Sequence, residues 1–294
     1  MMEIRWKSYV NQGSDIKGLK EKFKLFKAEL KPRNMNVFRN LNSIKRSILQ
    51  EIESFNYQNC NGKASESERQ TRMDLVRRLW ETDSKLESLL GQKARTNRFR
   101  YGDSCSSFFH SSLRWRRLRN EVKGVEVGGI WCEEPSIVRL EAKKLFEARF
   151  KATKDFGVRL DGVEFKSPSS VQSLRLIEVF SKEEVKDVVW HCEGSKSPGP
   201  NGYNFNFIKK SWNYLQADFV AALEILHKTG YIPKGCNASF IALVPKVKDP
   251  CKLDQFRLIS LVGSIYKVIA KLLAGRLKKV LPVIIDESQS TFIR

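Results

Sequence analysis

Apolar side chains in the first ninety residues recur at helical spacing. Ile16, Leu19, Phe23, Phe26 and Leu30 fall at alternating steps of three and four, which winds one apolar stripe onto a helix. Val37, Leu41, Ile44, Ile48, Ile52 and Phe55 repeat the pattern, and Lys31-Pro32 is expected to break the first stripe from the second. The Asn-, Gly- and Ser-rich stretch Asn59 to Ser67 then separates a third helix through Leu75, Leu79, Leu86 and Leu90. An antiparallel helical arm over residues 1–92 satisfies these stripes. A dimerising coiled coil is the alternative, but its heptads are short and interrupted.

The pattern changes after residue 120. Val122 to Val127, Gly128-Gly129 and Ile130 to Cys132 predict a small hairpin, because paired glycines supply the positive φ of a tight turn. A helix follows, with Pro135 in its first turn and Val138, Leu145, Phe146 and Phe150 on its apolar side. Residues 151–177 lack period and read as a connector. Ser181-Lys182-Glu183-Glu184 reads as a capping box that opens a helix to about Cys192. Ser195 to Gly202 is a Pro/Gly loop, and Leu215 to Thr229 is an amphipathic helix stopped by Gly230. Ala238 to Val244 and Phe256 to Leu261 are apolar enough for buried strands, and a basic helix over Ile265 to Val280 is expected to end at Pro282.

Charge sharpens this outline. The chain has 294 residues, and 53 basic against 33 acidic side chains give +20, an excess that self-repels unless a polyanion neutralises it. Nucleic acid is the first partner this balance suggests. The six cysteines show no Cys-x-x-Cys pair, so neither a zinc site nor a redox motif is visible and free intracellular thiols are expected, in nucleus or cytoplasm. No apolar run approaches membrane-spanning length, and no membrane partner is expected.

The densest charge lies between Lys93 and Arg119. Lys93, Arg95, Arg98, Arg100, Arg114, Arg116, Arg117 and Arg119 face the single acid Asp103, a net +7. Phe99, Tyr101, Phe108, Phe109 and Trp115 interleave with them, the mixture that neutralises phosphates while stacking on bases. Phosphate contact is the reading for the arginines; for the aromatics, inward packing is preferred to base stacking.

An ordered set of blocks carries a family likeness. Lys196-Ser197-Pro198-Gly199-Pro200-Asn201-Gly202, Pro233-Lys234-Gly235, Leu243-Val244-Pro245-Lys246, Phe256-Arg257-Leu258-Ile259-Ser260-Leu261 and Tyr266-Lys267 follow one another, ending in Ser288 to Ile293. In order and spacing these resemble the opening blocks of plant-type non-LTR (LINE-type) retrotransposon reverse transcriptases. Upstream, Gln92 to Arg95, Tyr101-Gly102-Asp103, Phe108-Phe109-His110, the pair at 119–120 and Trp131 resemble the segment such polyproteins carry before the polymerase. The likeness covers roughly residues 92–294.

The resemblance implies a mixed α and α+β architecture: a helical arm (1–92), a basic linker segment with a small hairpin and helix (93–165), then the fingers and partial palm of a right-hand reverse transcriptase (166–294). Two strands joined by Lys248 to Gln255 bring Lys246 and Arg257 near facing ends, where both cations reach one anion. In the family the matching residues bind the triphosphate of the incoming dNTP, which implies a forked clamp from Arg257 and a point charge from Lys246. The resemblance implies a template-facing loop, with Lys196, Ser197, Gly199, Asn201 and Gly202 on nucleic acid, joined by Arg95, Arg98, Arg114, Arg116 and Arg117. RNA template and DNA primer are the implied partners. Asn201 stands where the family usually has Asp, and Leu258 where it usually has Pro, which loosens how Arg257 is presented. The Mg2+-binding aspartates of the full-length family enzyme match nothing in the sequence, so no catalytic residue is assigned and the expectation is binding of RNA and dNTP without polymerisation. The rival readings are a non-enzymatic nucleic-acid-binding remnant of a truncated element and a helical interaction module.

Overall fold

A computed structural model describes residues 2–9, 13–38, 40–58, 65–94, 106–151 and 166–285, the side chains of 37, 38, 94 and 106–109 excepted. The chain divides into two compact units, one of residues 1–24 with 122–294 and one of residues 25–121.

In the first unit, helices α1 (Met2–Ser8) and the start of α2 (Ile16–Phe38) belong with elements far along the chain. The hairpin β1 (Val125–Val127) and β2 (Ile130–Cys132) comes next, then α6 (Pro135–Phe150), α7 (Ser170–Ile177), α8 (Lys182–His191), α9 (Phe205–Lys210) and α10 (Trp212–Thr229). Strands β3 (Ser239–Pro245) and β4 (Phe256–Val262) and helix α11 (Ser264–Ile284) complete it. Gly128 and Gly129 adopt φ of 59° and 85°, as the predicted turn of the first hairpin requires.

The core of this unit is built around α10, whose Leu215, Phe219, Val220, Leu223 and Leu226 are buried together with Val185 and Val189 of α8 and Val268, Ile269 and Leu272 of α11. Each such side chain withdraws about 1.5–3 kcal/mol worth of apolar surface from water. Trp6 joins them: its ring lies 5.1 Å from Phe23, and its indole N–H donates to Asp218 on α10 at 2.6 Å. Lys22 reaches the other oxygen of that carboxylate, also at 2.6 Å, and stands over the Trp6 ring. A carboxylate shared by an indole and an ammonium fixes the first two helices against the tenth.

The second unit is a long helical pair with a flanking helix. Helices α3 (Leu41–Gln58) and α4 (Glu66–Ala94) pack against each other, and α5 (Ser106–Asn120) packs on α4. The pair is antiparallel: Lys45 meets Asp83, Glu51 meets Arg78 and Asn56 meets Arg72. Between the helices Leu41, Ile48, Leu75 and Thr82 are buried, while Leu79, Leu86 and Phe55 are half-buried and Ile44 is exposed.

Several elements differ from expectation. Proline does not end α2 or α11; Pro32 and Pro282 lie inside them. The carbonyls that the missing N–H groups leave open belong to Ala28 and Lys278, both exposed residues. The expected connector contains α7, opened by a capping box in which the Ser169 hydroxyl accepts from the Gln172 N–H and the Gln172 side chain accepts from the Ser169 N–H. Residues 152–165 lie outside the described residues. Helix α9, capped by Asn204, was not anticipated. The two strands pair but are not buried: Phe240 is 58% exposed and Ile259 44%. Along the two strands Phe256 alone is buried, and the other residues are half-buried or exposed.

The box at Ser181 is half formed. Ser181 accepts from the Glu184 N–H at 3.1 Å, but the Glu184 carboxylate is turned to Arg276 of α11 through two bonds of 2.9 and 2.8 Å. Arg276, 9% exposed, also donates to the carbonyls of Leu176, Glu178 and Val179 at the end of α7 and lies over the Phe180 ring. A forked guanidinium with five N–H donors suits this role, because it satisfies helix-end carbonyls and a carboxylate at once.

Candidate nucleic-acid interface

Strands β3 and β4 are antiparallel with Val244 opposite Arg257 and Pro245 opposite Phe256. Lys246 extends the ladder by one bond, its N–H donating to the Gln255 carbonyl at 2.8 Å. Facing residues share a side of the ribbon, and so do residues two apart, so the register puts Lys246 diagonally across from Arg257 on the Val244 side. Arg257 is exposed, with no hydrogen-bond or ion-pair partner among the described residues, whereas the Lys246 ammonium donates to the Asp254 carbonyl at 2.8 Å. The two cations therefore differ in readiness. Arg257 is free to take an anion, and Lys246 exchanges a neutral carbonyl for one.

The connection between these strands is held by its own side chains. Gln255 Oε1 accepts from the N–H groups of Cys251 and Lys252 at 2.8 and 3.2 Å, and Asp249 takes the left-handed φ of 48°. The first hairpin braces it from outside: the Glu126 N–H donates to the Cys251 carbonyl at 2.8 Å, and Lys123 lies 3.4 Å from Asp249. The edge of β1 thus ends on the segment that sets the spacing of Lys246 and Arg257.

The Pro/Gly loop meets the far end of β4. Gly199 is buried against the Val262 carbonyl and the Gly263 nitrogen so tightly that an added Cβ would overlap both. Gly202, at φ 81°, donates back to the Gly199 carbonyl at 2.9 Å, closing the turn. The Asn201 amide nitrogen donates to the Ser264 hydroxyl at the start of α11, while its amide oxygen is buried without a partner. Tyr203 donates to the Phe23 carbonyl at 3.3 Å, and burial pushes its phenol well above the ordinary tyrosine range. Lys196 pairs with Glu193 at 3.2 Å; hydrogen bonds from Lys196 and Ser195 hold the Glu193 carboxyl below its usual value.

A small cleft opens here, lined by Lys196, Ser197, Gly199, Tyr203, Ser264 and Lys267. Arg257 lies five residues up β4 from Val262, about 17 Å away at the rise of a strand. The structure thus joins Lys196, Ser197, Gly199, Asn201 and Gly202 in one locus and sets Lys246 and Arg257 in another, the two connected by β4. The sequence blocks include Tyr266-Lys267 but not Ser264, for which the Gly263-Ser264 step, where strand turns into helix, is the available signal.

Arg114, Arg116 and Arg117 stand exposed on α5 in the second unit, while Arg95 and Arg98 lie outside the described residues, as does the terminal block from Ser288. Among the described residues no cluster of three or more His, Cys, Asp or Glu could hold a metal ion. Nor is any described helix long and apolar enough to cross a membrane.

No family model matches the chain. It is similar to the Transposon TX1 uncharacterized 149 kDa protein of Xenopus laevis, 28% identical over 193 residues, a stretch that covers 64% of this chain. That stretch spans 15% of the relative's length. The likeness supports an origin in a transposon-encoded protein.

Proposed function

We propose that residues 166–294 of the first unit are the fingers and partial palm of a non-LTR retrotransposon reverse transcriptase, one that binds template RNA and dNTP. Arg257 and Lys246 take the nucleotide's phosphates. The cleft between the Pro/Gly loop and α11, with Lys196, Ser197 and Lys267, takes the template backbone. The pairing of Val244 with Arg257 carries this reading, because it sets both cations on one side of a ribbon, as a triphosphate clamp requires. The similarity to a transposon protein supports it, as do the ordered sequence blocks, on which its plant-type character rests alone.

The sequence resemblance matches no residue to the family's catalytic aspartates, so the chain is expected to bind without extending a primer. Titration with a dNTP tests the clamp. Arg257→Gln is expected to weaken binding more than Lys246→Gln, since a forked guanidinium makes two bonds where an ammonium makes one. Equal affinity in the parent and both variants overturns the clamp, and nucleotide incorporation with RNA template and Mg2+ above a no-protein control overturns the expected inactivity.

A further inference from the structure

Helix α5 contains Arg114, Arg116, Arg117 and Arg119 and no acidic residue. Every side chain from Arg114 to Asn120 is exposed, Trp115 by 73%. Arg114, Arg117 and Arg119 have no ion-pair or hydrogen-bond partner among the described residues, and no described ring or cation lies against Trp115. Of the aromatics expected to pack inward, Phe99, Tyr101 and the side chains of Phe108 and Phe109 lie outside the described residues. Trp115 instead gives its indole faces to solvent, a costly placement for so large an apolar side chain.

At about 100° per residue, Arg119 and Leu118 lie within a turn of Trp115 on its own face, Arg114 and Arg116 flank it on either side, and Arg117 lies behind. That arrangement selects among polyanions. A membrane-surface helix separates an apolar face from a basic one, whereas here arginines surround the only exposed tryptophan of the helix, and inserting it would drag guanidinium groups into lipid. A duplex offers phosphates but keeps its base faces stacked on one another, leaving the indole nothing to cover. A single strand offers both phosphates for the arginines and open base faces for the indole.

We infer that α5 is a separate binding site for single-stranded nucleic acid, in which Trp115 stacks on a base while Arg114 and Arg119 take flanking phosphates. The site lies in the second unit and does not depend on the fingers reading of the first.

The test titrates the full chain with a short single-stranded RNA, the same sequence as a duplex, and anionic phospholipid vesicles. Trp115→Ala is expected to weaken single-strand binding about tenfold, as loss of one base–aromatic contact does, and to leave duplex binding and the salt slope unchanged. Trp115→Phe should recover part of the loss. Arg119→Gln should lower the slope of log K against log salt by about 0.7. All these side chains are exposed, so far-ultraviolet circular dichroism should not change. Equal losses on single strand and duplex, or no loss on either, overturn the stacking site; loss confined to vesicle binding overturns it in favour of a membrane surface. Arg257→Gln serves as the separating control: it should lower dNTP affinity without altering the Trp115 effect, so failure of one reading is not mistaken for failure of the other.

Discussion

Both units carry many cations, yet they use them differently. In the first, lysine and arginine close off helix ends: Lys209 donates to the carbonyls of Trp190 and Cys192 at 2.8 and 2.7 Å, Lys271 reaches the His191 carbonyl at 3.3 Å, and Arg276 serves the end of α7. Lys20 likewise donates to the Gly235 carbonyl at 3.1 Å. These groups neutralise the negative ends of helices and satisfy orphan acceptors. In the second unit the cations of α3 and α4 make exposed pairs such as Lys45 with Asp83, and those of α5 at 114, 117 and 119 make no described bond. A net charge of +20 therefore overstates the surface open to a polyanion. The useful quantity is the number of cations without an internal task, and Arg257 and three arginines of α5 are among them.

The contrast can be broken by removing one cation at a time. Arg276→Ala should cost the first unit about 3–5 kcal/mol, because the buried side of Glu184 and several carbonyls lose their donor together; a denaturant melt that shifts by less than a third of this would remove its structural role. Gly199→Ala is expected to cost about 1–3 kcal/mol, since neither Val262 nor Gly263 can retreat from an added methyl without disturbing β4. Thermal unfolding reads that loss. Lys209→Met keeps the apolar stem and deletes two bonds to helix-end carbonyls, for a loss of about 1–2 kcal/mol, visible as faster amide exchange at the end of α8. Asn201→Asp should be stabilising by about 0.5 kcal/mol, as a carboxylate accepts the Ser264 hydroxyl proton and faces the positive start of α11; a lower melting temperature would contradict this. The smallest effect belongs to the second unit: a double-mutant cycle on Lys45 and Asp83 should give under about 1 kcal/mol and shrink at high salt.

What could be read from the sequence follows from how local each cause is. The first hairpin, the stop of α10 at Gly230 and the pairing of β3 with β4 rest on a few neighbouring residues, and the pattern disclosed them. Features set by distant partners were hidden. Glu184 has the spacing of a capping box, but the residue that claims its carboxylate is 92 positions away. Gly199 reads as a flexible loop residue, and only the approach of β4 reveals that no side chain fits there. Ser169-x-x-Gln172 was as legible as Ser181-x-x-Glu184 and was missed within a stretch judged by its lack of period. The site divides in the same way: the residues of each locus were nameable from the blocks, while their separation along β4 and the tether of Lys246 to Asp254 required the fold.

The bond from Trp6 to Asp218 joins positions 212 apart. A ribosome adding about 5–20 residues per second needs about 10–40 s to make the intervening chain. For most of that interval α1 and the first turns of α2 lack the α10 partner that covers Trp6 and Phe23. Helix α1 and the first turns of α2 are thus made well before α10 and secured only with it, and anything that pauses translation before α10 prolongs the exposure of Trp6 and Phe23.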